Sequence, residues 1–223
     1  MFKETDAMKN YDTIIFDLDG TLLNTLDDLA DSVNFALCMH GFPERTIFEI
    51  RSFVGNGIAR LIELSIPRGM ENPKYNECLK DFKMHYSNNM NNKTSPYEGI
   101  MELLKKLSHD NYKTAIVSNK FDGAVKKLNK IYFDEYIDVA IGESENISRK
   151  PAPDTVFKAI EELGSNRASA IYVGDSEVDV KTAKNAGIPC IGAAWGFRGR
   201  DVLESKGADY VIDRPEEILD IIR

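Results

Sequence analysis

The sequence predicts an α/β fold, in which helices cover both faces of a parallel β-sheet and a small helical domain is inserted after the first strand. Two observations lead to this prediction. Short runs rich in β-branched residues alternate with helical hydrophobic patterns over most of the chain, as in parallel sheets with helical crossovers. Residues 24–90 break that alternation, because they contain several helical stretches and no convincing strand.

The predicted strands are short apolar runs that stop at polar or glycine residues. Residues 11–16 are predicted to form the first buried strand, residues 113–117 the second and residues 170–173 the third. Shorter candidates lie at residues 189–192 and 208–212. Since helical patterns separate these strands, the sheet is expected to be parallel.

The predicted helices of the sheet region have apolar residues at helical spacing, over residues 100–107, 154–163 and 178–186. The third has a clear end, because Gly187 suits a helix terminus and Pro189 cannot continue the helix. In the insert, the longest helix is predicted over residues 25–39. The insert is expected to join the sheet through hinges near Asn24 and Ser95, with the polar residues 87–95 as part of the return linker.

Composition narrows the class of protein. A chain of 223 residues with 43% hydrophobic and 29% charged residues can bury a substantial core, and its net charge of −8 argues against a general nucleic-acid binder. The three cysteines have no CxxC spacing, which indicates reduced thiols. No apolar run approaches the roughly 20 residues of a membrane span, and residues 1–10 lack the hydrophobic segment of a secretory signal. We therefore expect a cytoplasmic protein.

The first candidate for chemistry is the acidic loop Asp17-Leu18-Asp19-Gly20-Thr21, which directly follows the first strand. Ligands of open α/β sheets bind beyond the carboxyl ends of the strands, so this loop lies where chemistry is expected. Of two carboxylates in one loop, one can attack or bind a metal while the other transfers a proton. Gly20 allows the backbone to approach a ligand closely.

Three further polar clusters follow other strands or loops. Ser118 and Asn119 offer a hydroxyl and an amide that can hold a phosphoryl oxygen. Lys150, in the segment Arg149-Lys150-Pro151-Ala152-Pro153, is a candidate fixed cation, because the prolines stiffen the backbone after it. Asp175 and Asp179 lie four residues apart at the start of a helix. Mg²⁺ prefers hard oxygen ligands, which Asp17 and Asp175 can supply, while Asp179 can bind or orient.

Taken together, these clusters resemble the four motifs of the haloacid dehalogenase-like phosphatase superfamily. The matching segments, in the expected order, are residues 17–21 (DLDGT), 118–119 (SN), 149–153 (RKPAP) and 174–179 (GDSEVD). The resemblance extends from about residue 11 to the C-terminus.

The resemblance implies a role for each matching residue. Asp17 is expected to be the nucleophile that forms an aspartyl-phosphate, and Asp19 the general acid and base. Ser118 and Lys150 are expected to hold the transferring phosphoryl group. Mg²⁺ is expected to bind Asp17, the backbone carbonyl of Asp19 and Asp175, with Asp179 orienting the site from behind them. The implied substrate-binding residues are Thr21, Ser118, Asn119, Lys150, Gly55 and Asn56.

The insert has the position of the cap domain in the same superfamily. The resemblance therefore implies a Rossmann-like core of residues 1–23 and 91–223 and a helical cap of residues 24–90. Residues 53–57 (FVGNG) resemble the substrate-specificity loop in the cap of phosphoglycolate phosphatases. Residues 27–37 and Lys120 are also similar to that subfamily. The implied function is a Mg²⁺-dependent phosphatase that acts on small phosphate monoesters such as 2-phosphoglycolate.

Other activities use the same fold. A sugar-phosphate mutase would return the phosphoryl group from Asp17 to a sugar, and a pyrophosphatase or nucleotidase would differ in substrate. A phospho-receiver or regulatory module is disfavoured, because the acidic pair follows the first strand and a cap-sized insert comes after it. The expected partner is a small phosphorylated metabolite, with no nucleic acid or membrane, and the expected state is a monomer or small homo-oligomer.

Overall fold

The structure is a computed structural model that describes residues 10–223. Its strands are β1 (Thr13–Phe16), β2 (Leu23–Asn24), β3 (Ser95–Pro96), β4 (Lys113–Phe121), β5 (Val139–Glu143), β6 (Ala170–Gly174), β7 (Cys190–Ala193) and β8 (Tyr210–Ile212). Six of them form one sheet in the order β5-β4-β1-β6-β7-β8, in which all neighbours are parallel. The predicted α/β fold class is confirmed.

Helices connect the strands and cover the sheet. The α-helices of the described residues are α1 (Leu26–Met39), α2 (Ile47–Phe53), α3 (Gly57–Ser65), α4 (Tyr75–Asn89), α5 (Ile100–His109), α6 (Asp122–Tyr132), α7 (Asp154–Glu162), α8 (Glu177–Ala186), α9 (Arg200–Lys206) and α10 (Ile218–Ile222). Helices α5, α6 and α10 contribute to one buried apolar cluster, and α7, α8 and α9 to another.

The central strand β1 divides these two clusters. Ile14 and Phe16 belong to the first cluster and Ile15 to the second, because successive side chains of a strand point to opposite faces. All of β1 is buried, with β4 on one side and β6 on the other. The burial explains why this strand is a continuous apolar run in the sequence. The loop after β1 therefore leaves the middle of the sheet.

Helices α1 to α4 form the insert, and a short antiparallel ribbon of β2 and β3 joins it to the sheet region. The ribbon pairs Asn24 with Ser95, the two positions at which the hinges are predicted. Next to it, the buried Asp28 carboxylate accepts hydrogen bonds from three consecutive backbone N–H groups, those of residues 92–94. The limits of the predicted cap, residues 24–90, stay a prediction.

Several elements differ from the sequence prediction. Strand β4 continues past residue 117 to Phe121, where it pairs with Glu143 of β5 after a shift of register. Strand β5 was not predicted, because its few β-branched residues are interrupted by Ala140 and Gly142. Helices α6, α9 and α10 were also missed. Helix α4 extends to Asn89, so the start of the predicted return linker is helical.

In residues 10–223, every helix is too short or too polar to cross a lipid bilayer. The secretory-signal prediction concerns residues 1–10, of which residues 1–9 lie outside the described residues. The same nine residues of the predicted core also lie outside them.

Candidate active site

The acidic loop after β1 holds Asp17 and Asp19 at the carboxyl edge of the sheet. Asp17 is 7% exposed, and its backbone N–H donates to the Val173 carbonyl at 2.9 Å, which continues the pairing of β1 with β6. Gly20 has a φ of +88°, and a Cβ there would lie 2.4 Å from Oδ2 of Asp175. Only glycine fits this position without moving Asp175.

Lys150 connects two of the predicted clusters. Its Nζ lies 2.8 Å from Oδ1 of Asp17 and 2.7 Å from Oδ1 of Asp179, and it donates to the Tyr172 hydroxyl at 3.0 Å. Burial disfavours the charge of this lysine, but Asp17 and Asp179 outweigh burial and raise its pKa well above the usual value. Lys150 is therefore a buried cation held by two carboxylates, and its role in holding a phosphoryl group stays a prediction.

Asp175 and Asp179 are held by the start of α8. Ser176 caps this helix in a capping box with Asp179, which explains the burial of the Asp179 side chain. The backbone N–H of Phe197 donates to Oδ2 of Asp175 at 2.6 Å. Both oxygens of Asp179 already have protein partners, Lys150 for one and Ser176 for the other, which fits the predicted orienting role.

Three carboxylates therefore meet at one point. Asp17, Asp175 and Asp179 each place an oxygen within 4.8 Å of the others, and all three are buried. Burial raises the pKa of Asp17 to about 7, opposed by Lys150 and reinforced by Asp179, and burial with the neighbouring carboxylates raises the pKa of Asp175 well above its usual value. When all three are ionised, Lys150 leaves two negative charges uncompensated, and hard oxygens with that charge fit a divalent cation such as Mg²⁺.

Asp19 has a separate set of partners. Lys120 Nζ donates to both of its carboxylate oxygens, at 2.9 and 3.1 Å, and the Thr25 hydroxyl donates to Oδ1 at 2.7 Å. The same Nζ donates to the hydroxyl of Tyr86, a residue of α4 in the insert. In the sequence, the position of Lys120 beside Ser118-Asn119 is the signal that could have indicated a role in the site. No sequence pattern indicates such a role for Tyr86.

Asn119 connects the strand ends with the insert. Its Nδ2 donates to the carbonyls of Lys150 and Gly55, both at 3.0 Å. Gly55 thus lies beside Asn119, and substrate binding by the 53–57 loop stays a prediction. The carbonyl of Asn56 instead accepts from Arg149 at the surface.

A cavity of about 40 Å³ lies between the insert and the sheet. Its polar wall contains both aspartates of the acidic loop together with Ser118, Lys150 and Asp175, while apolar residues of the insert form much of the opposite wall. A water needs roughly 10–15 Å³ by this measure, so the cavity has room for about three waters. Thr21, predicted to bind substrate, is fully buried beside Asp175 and does not line the cavity.

Two arginines form hydrogen bonds between the insert and the sheet region beside this cavity. Arg51 of α2 donates to the carbonyls of Gly196 and Phe197, at 2.8 and 2.6 Å. In the opposite direction, Arg198 donates to the carbonyls of Arg51 and Val54. Trp195 of the same loop donates to the Thr21 carbonyl at 3.0 Å. Neither arginine was predicted to have a role.

Comparison with known proteins gives consistent results. The family model of haloacid dehalogenase-like hydrolases matches residues 14–193. A phosphoglycolate phosphatase of Mesorhizobium japonicum is 32% identical over 195 residues, which is 86% of each chain. A pyrophosphatase PpaX of Halalkalibacterium halodurans is 31% identical over 216 residues, 94% of this chain and 96% of the relative. A crystal structure described as a candidate phosphoglycolate phosphatase from Lactobacillus delbrueckii subsp. bulgaricus has a TM-score of 0.90 at 34% identity, covering 96% of this chain and 98% of the other.

A parallel sheet with buried acidic and cationic side chains at its carboxyl edge defines a Rossmann-like α/β protein with a ligand site at that edge. The chain belongs to the haloacid dehalogenase-like hydrolase family, since the family model covers most of its length. The resemblance seen in the motifs is thereby confirmed, including the similarity to phosphoglycolate phosphatases.

Proposed function

We propose that the protein is a Mg²⁺-dependent phosphatase that hydrolyses small phosphate monoesters through an aspartyl-phosphate on Asp17. The observation that supports this most strongly is the excess of buried carboxylate over ammonium beside Asp17, at the carboxyl end of the central strand. The carboxylates of Asp17 and Asp175 and the backbone carbonyl of Asp19 would hold Mg²⁺. When bound, the ion would neutralise the charge that the phosphoryl group brings to this cluster.

In the first displacement, an oxygen of Asp17 attacks phosphorus while the bond to the leaving oxygen breaks. Asp19 gives a proton to that oxygen, and Ser118 and Lys150 hold the phosphoryl oxygens. In the second displacement, water attacks the phosphorus and the bond to Asp17 breaks, which releases phosphate. Asp19 takes the proton of the water, so the two carboxylates return to their starting states.

The small volume of the cavity supports a small substrate, and the relatives named phosphoglycolate phosphatase favour 2-phosphoglycolate. The amino end of α3 faces the cavity through Gly57 and Ile58. The first N–H groups of a helix have no partner within it and carry partial positive charge. This end of α3, with Gly55 and Asn56 beside it, would therefore favour the carboxylate of such a substrate.

The test is phosphate release, with and without Mg²⁺, from phosphoglycolate, hexose phosphates, nucleoside monophosphates and pyrophosphate. We expect Mg²⁺-dependent release that is fastest with phosphoglycolate, and no turnover by the Asp17→Asn variant, because that variant lacks the nucleophile. Near-normal turnover by Asp17→Asn would contradict the proposed role of Asp17. Weak release spread over the whole panel would contradict the substrate preference.

A pyrophosphatase is the second candidate, supported by the relative named pyrophosphatase PpaX. The same panel separates the two, because this alternative predicts fastest release from pyrophosphate. No release from any compound would favour the mutase, to be tested with a sugar bisphosphate. The cysteines Cys38, Cys78 and Cys190 are free thiols, which supports the cytoplasm as the proposed location.

A further inference from the structure

The hydroxyl of one tyrosine of the insert accepts a hydrogen bond from Lys120, the lysine that pairs with Asp19. Tyr86 lies on α4, its side chain is fully buried, and its ring stacks on Phe82 with centroids 5.5 Å apart. The edge of the ring meets Phe121 at the end of β4. This packing against Phe82 of the insert and Phe121 of β4 fixes the ring, so the hydroxyl lies where the insert meets the strand ends.

The ammonium of Lys120 connects that hydroxyl to Asp19. A lysine ammonium has three N–H donors and no acceptor. Among the residues that the structure describes, the acceptors around Nζ are also three, namely the two oxygens of Asp19, at 2.9 and 3.1 Å, and the hydroxyl of Tyr86 at 2.5 Å. Each N–H donor of Lys120 thus has one acceptor. By accepting one of these donors, the Tyr86 hydroxyl fixes the rotation of the ammonium, so that the other two donors point at the Asp19 carboxylate.

We propose that Tyr86 is a positioning residue that acts through Lys120 to hold the Asp19 carboxylate in place for the second displacement. The inference rests on the proposed function. In that step Asp19 accepts a proton from the attacking water, a P–O bond to the water oxygen forms, and the bond between phosphorus and Asp17 breaks. Lys120 Nζ lies 2.9 Å from Oδ1 of Asp19, and this contact holds the carboxyl oxygens in place for that step.

The pKa shifts of Tyr86 and Lys120 are consistent with this role. Burial raises the pKa of Tyr86 to about 12, so the residue is a neutral phenol whose oxygen can accept from the ammonium. Burial disfavours the charge of Lys120, but Asp19 and Tyr86 outweigh burial and raise its pKa. Tyr86 lies in the insert and Lys120 on β4, so the arrangement is complete only when the insert is closed over the sheet.

The test is the Tyr86→Phe variant of the full-length protein with p-nitrophenyl phosphate, whose leaving group departs without an acid. Phenylalanine keeps the packed ring and removes only the hydroxyl. We expect kcat to fall roughly 10- to 100-fold, because the base is misplaced, while kcat/KM changes by less than about twofold. Since only the second displacement is slowed, the phosphoenzyme trapped by acid quench should increase.

Tyr75→Phe is the matched control. Tyr75 is also a buried tyrosine of α4, but its hydroxyl donates to the Ala59 carbonyl within the insert, at 3.1 Å. We expect wild-type kcat and kcat/KM from this variant. In addition, Tyr86→Phe should cause no further loss of kcat in a Lys120→Met background, because Tyr86 acts through Lys120.

If the wild type is active, two results would overturn this inference and leave the proposed function intact. An unchanged kcat in Tyr86→Phe would show that the hydroxyl has no part in the reaction. Equal losses of kcat and kcat/KM, without more phosphoenzyme, would show that the tyrosine only supports the fold or substrate binding. An inactive wild type, or an Asp17→Asn variant with normal turnover, would instead overturn the proposed function and this inference with it.

Discussion

At the scale of single residues, the buried carboxylates of the site carry more negative charge than the neighbouring lysine neutralises. Asp17, Asp175 and Asp179 are buried within 4.8 Å of one another, and Lys150 is the ammonium that pairs with two of them. Buried carboxylates are costly unless they are paired. The charges therefore destabilise the metal-free fold and favour any bound cation that compensates them.

The raised pKa of Asp17 makes the stability of the metal-free protein depend on pH. The ordinary value is 3.8 and the folded value is about 7, so between these values the folded state binds the proton more tightly than the unfolded state does. The free energy of unfolding must then fall as pH rises through this window. We expect Asp17→Asn to weaken this dependence and to stabilise the metal-free protein at pH 8 by on the order of 1 kcal/mol or more.

Urea unfolding in the presence of a chelator, repeated at several pH values, measures this effect. Asp201→Asn is the control, because Asp201 is exposed on α9. A variant Asp17→Asn that is less stable than wild type at pH 8 would contradict the argument.

At the level of elements, α2 of the insert contacts the loop after β7. Arg51 donates to the carbonyls of Gly196 and Phe197, and the N–H of Phe197 donates to Asp175. The arginine is therefore one residue removed from a candidate metal ligand. We propose that residues 24–90 move as a cap about the β2–β3 ribbon and that this contact helps to close it.

We expect Arg51→Gln to lower kcat/KM for the preferred substrate roughly 10-fold, since hydrogen bonds from a charged donor contribute about 1.5–3 kcal/mol. Steady-state kinetics at saturating Mg²⁺ measure the change. Arg60→Gln is the control, because Arg60 is half-exposed on α3 and pairs with Glu63 of the same helix. Similar losses in both variants would indicate general damage to the insert and not a loss of closure.

At the scale of the whole molecule, the sequence predicts the sheet and the strand ends better than it predicts contacts between distant elements. Strand β1 is a buried apolar run that stops at Asp17, so the strand and the site loop have the same local signal. Strand β5 is too short and interrupted to be recognised. Tyr86, Arg51 and Arg198 acquire their roles only through partners far away in the chain, and no spacing within the sequence encodes such contacts.

Metal binding should stabilise the whole fold, because a ligand of the folded state shifts the unfolding equilibrium. With Mg²⁺ at about 100 times its Kd, we expect the Tm to rise by about 5–10 °C. In Asp175→Asn this rise should be lost, because a ligand and a charge are removed. Differential scanning calorimetry measures the shift, with sodium chloride of equal ionic strength as the control. An unchanged Mg²⁺ response in Asp175→Asn would remove Asp175 from the proposed metal site.

The position of β1 at the centre of the sheet also affects the order in which the protein is made. Its two neighbours are β4 and β6, so a chain emerging from the ribosome cannot flank β1 on both sides until residue 174 has been synthesised. Asp175 and Asp179 follow directly after that point. The mutual repulsion of the three carboxylates therefore arises only after β1, β4 and β5 have been synthesised, when the apolar contacts among these strands and their helices can already oppose it.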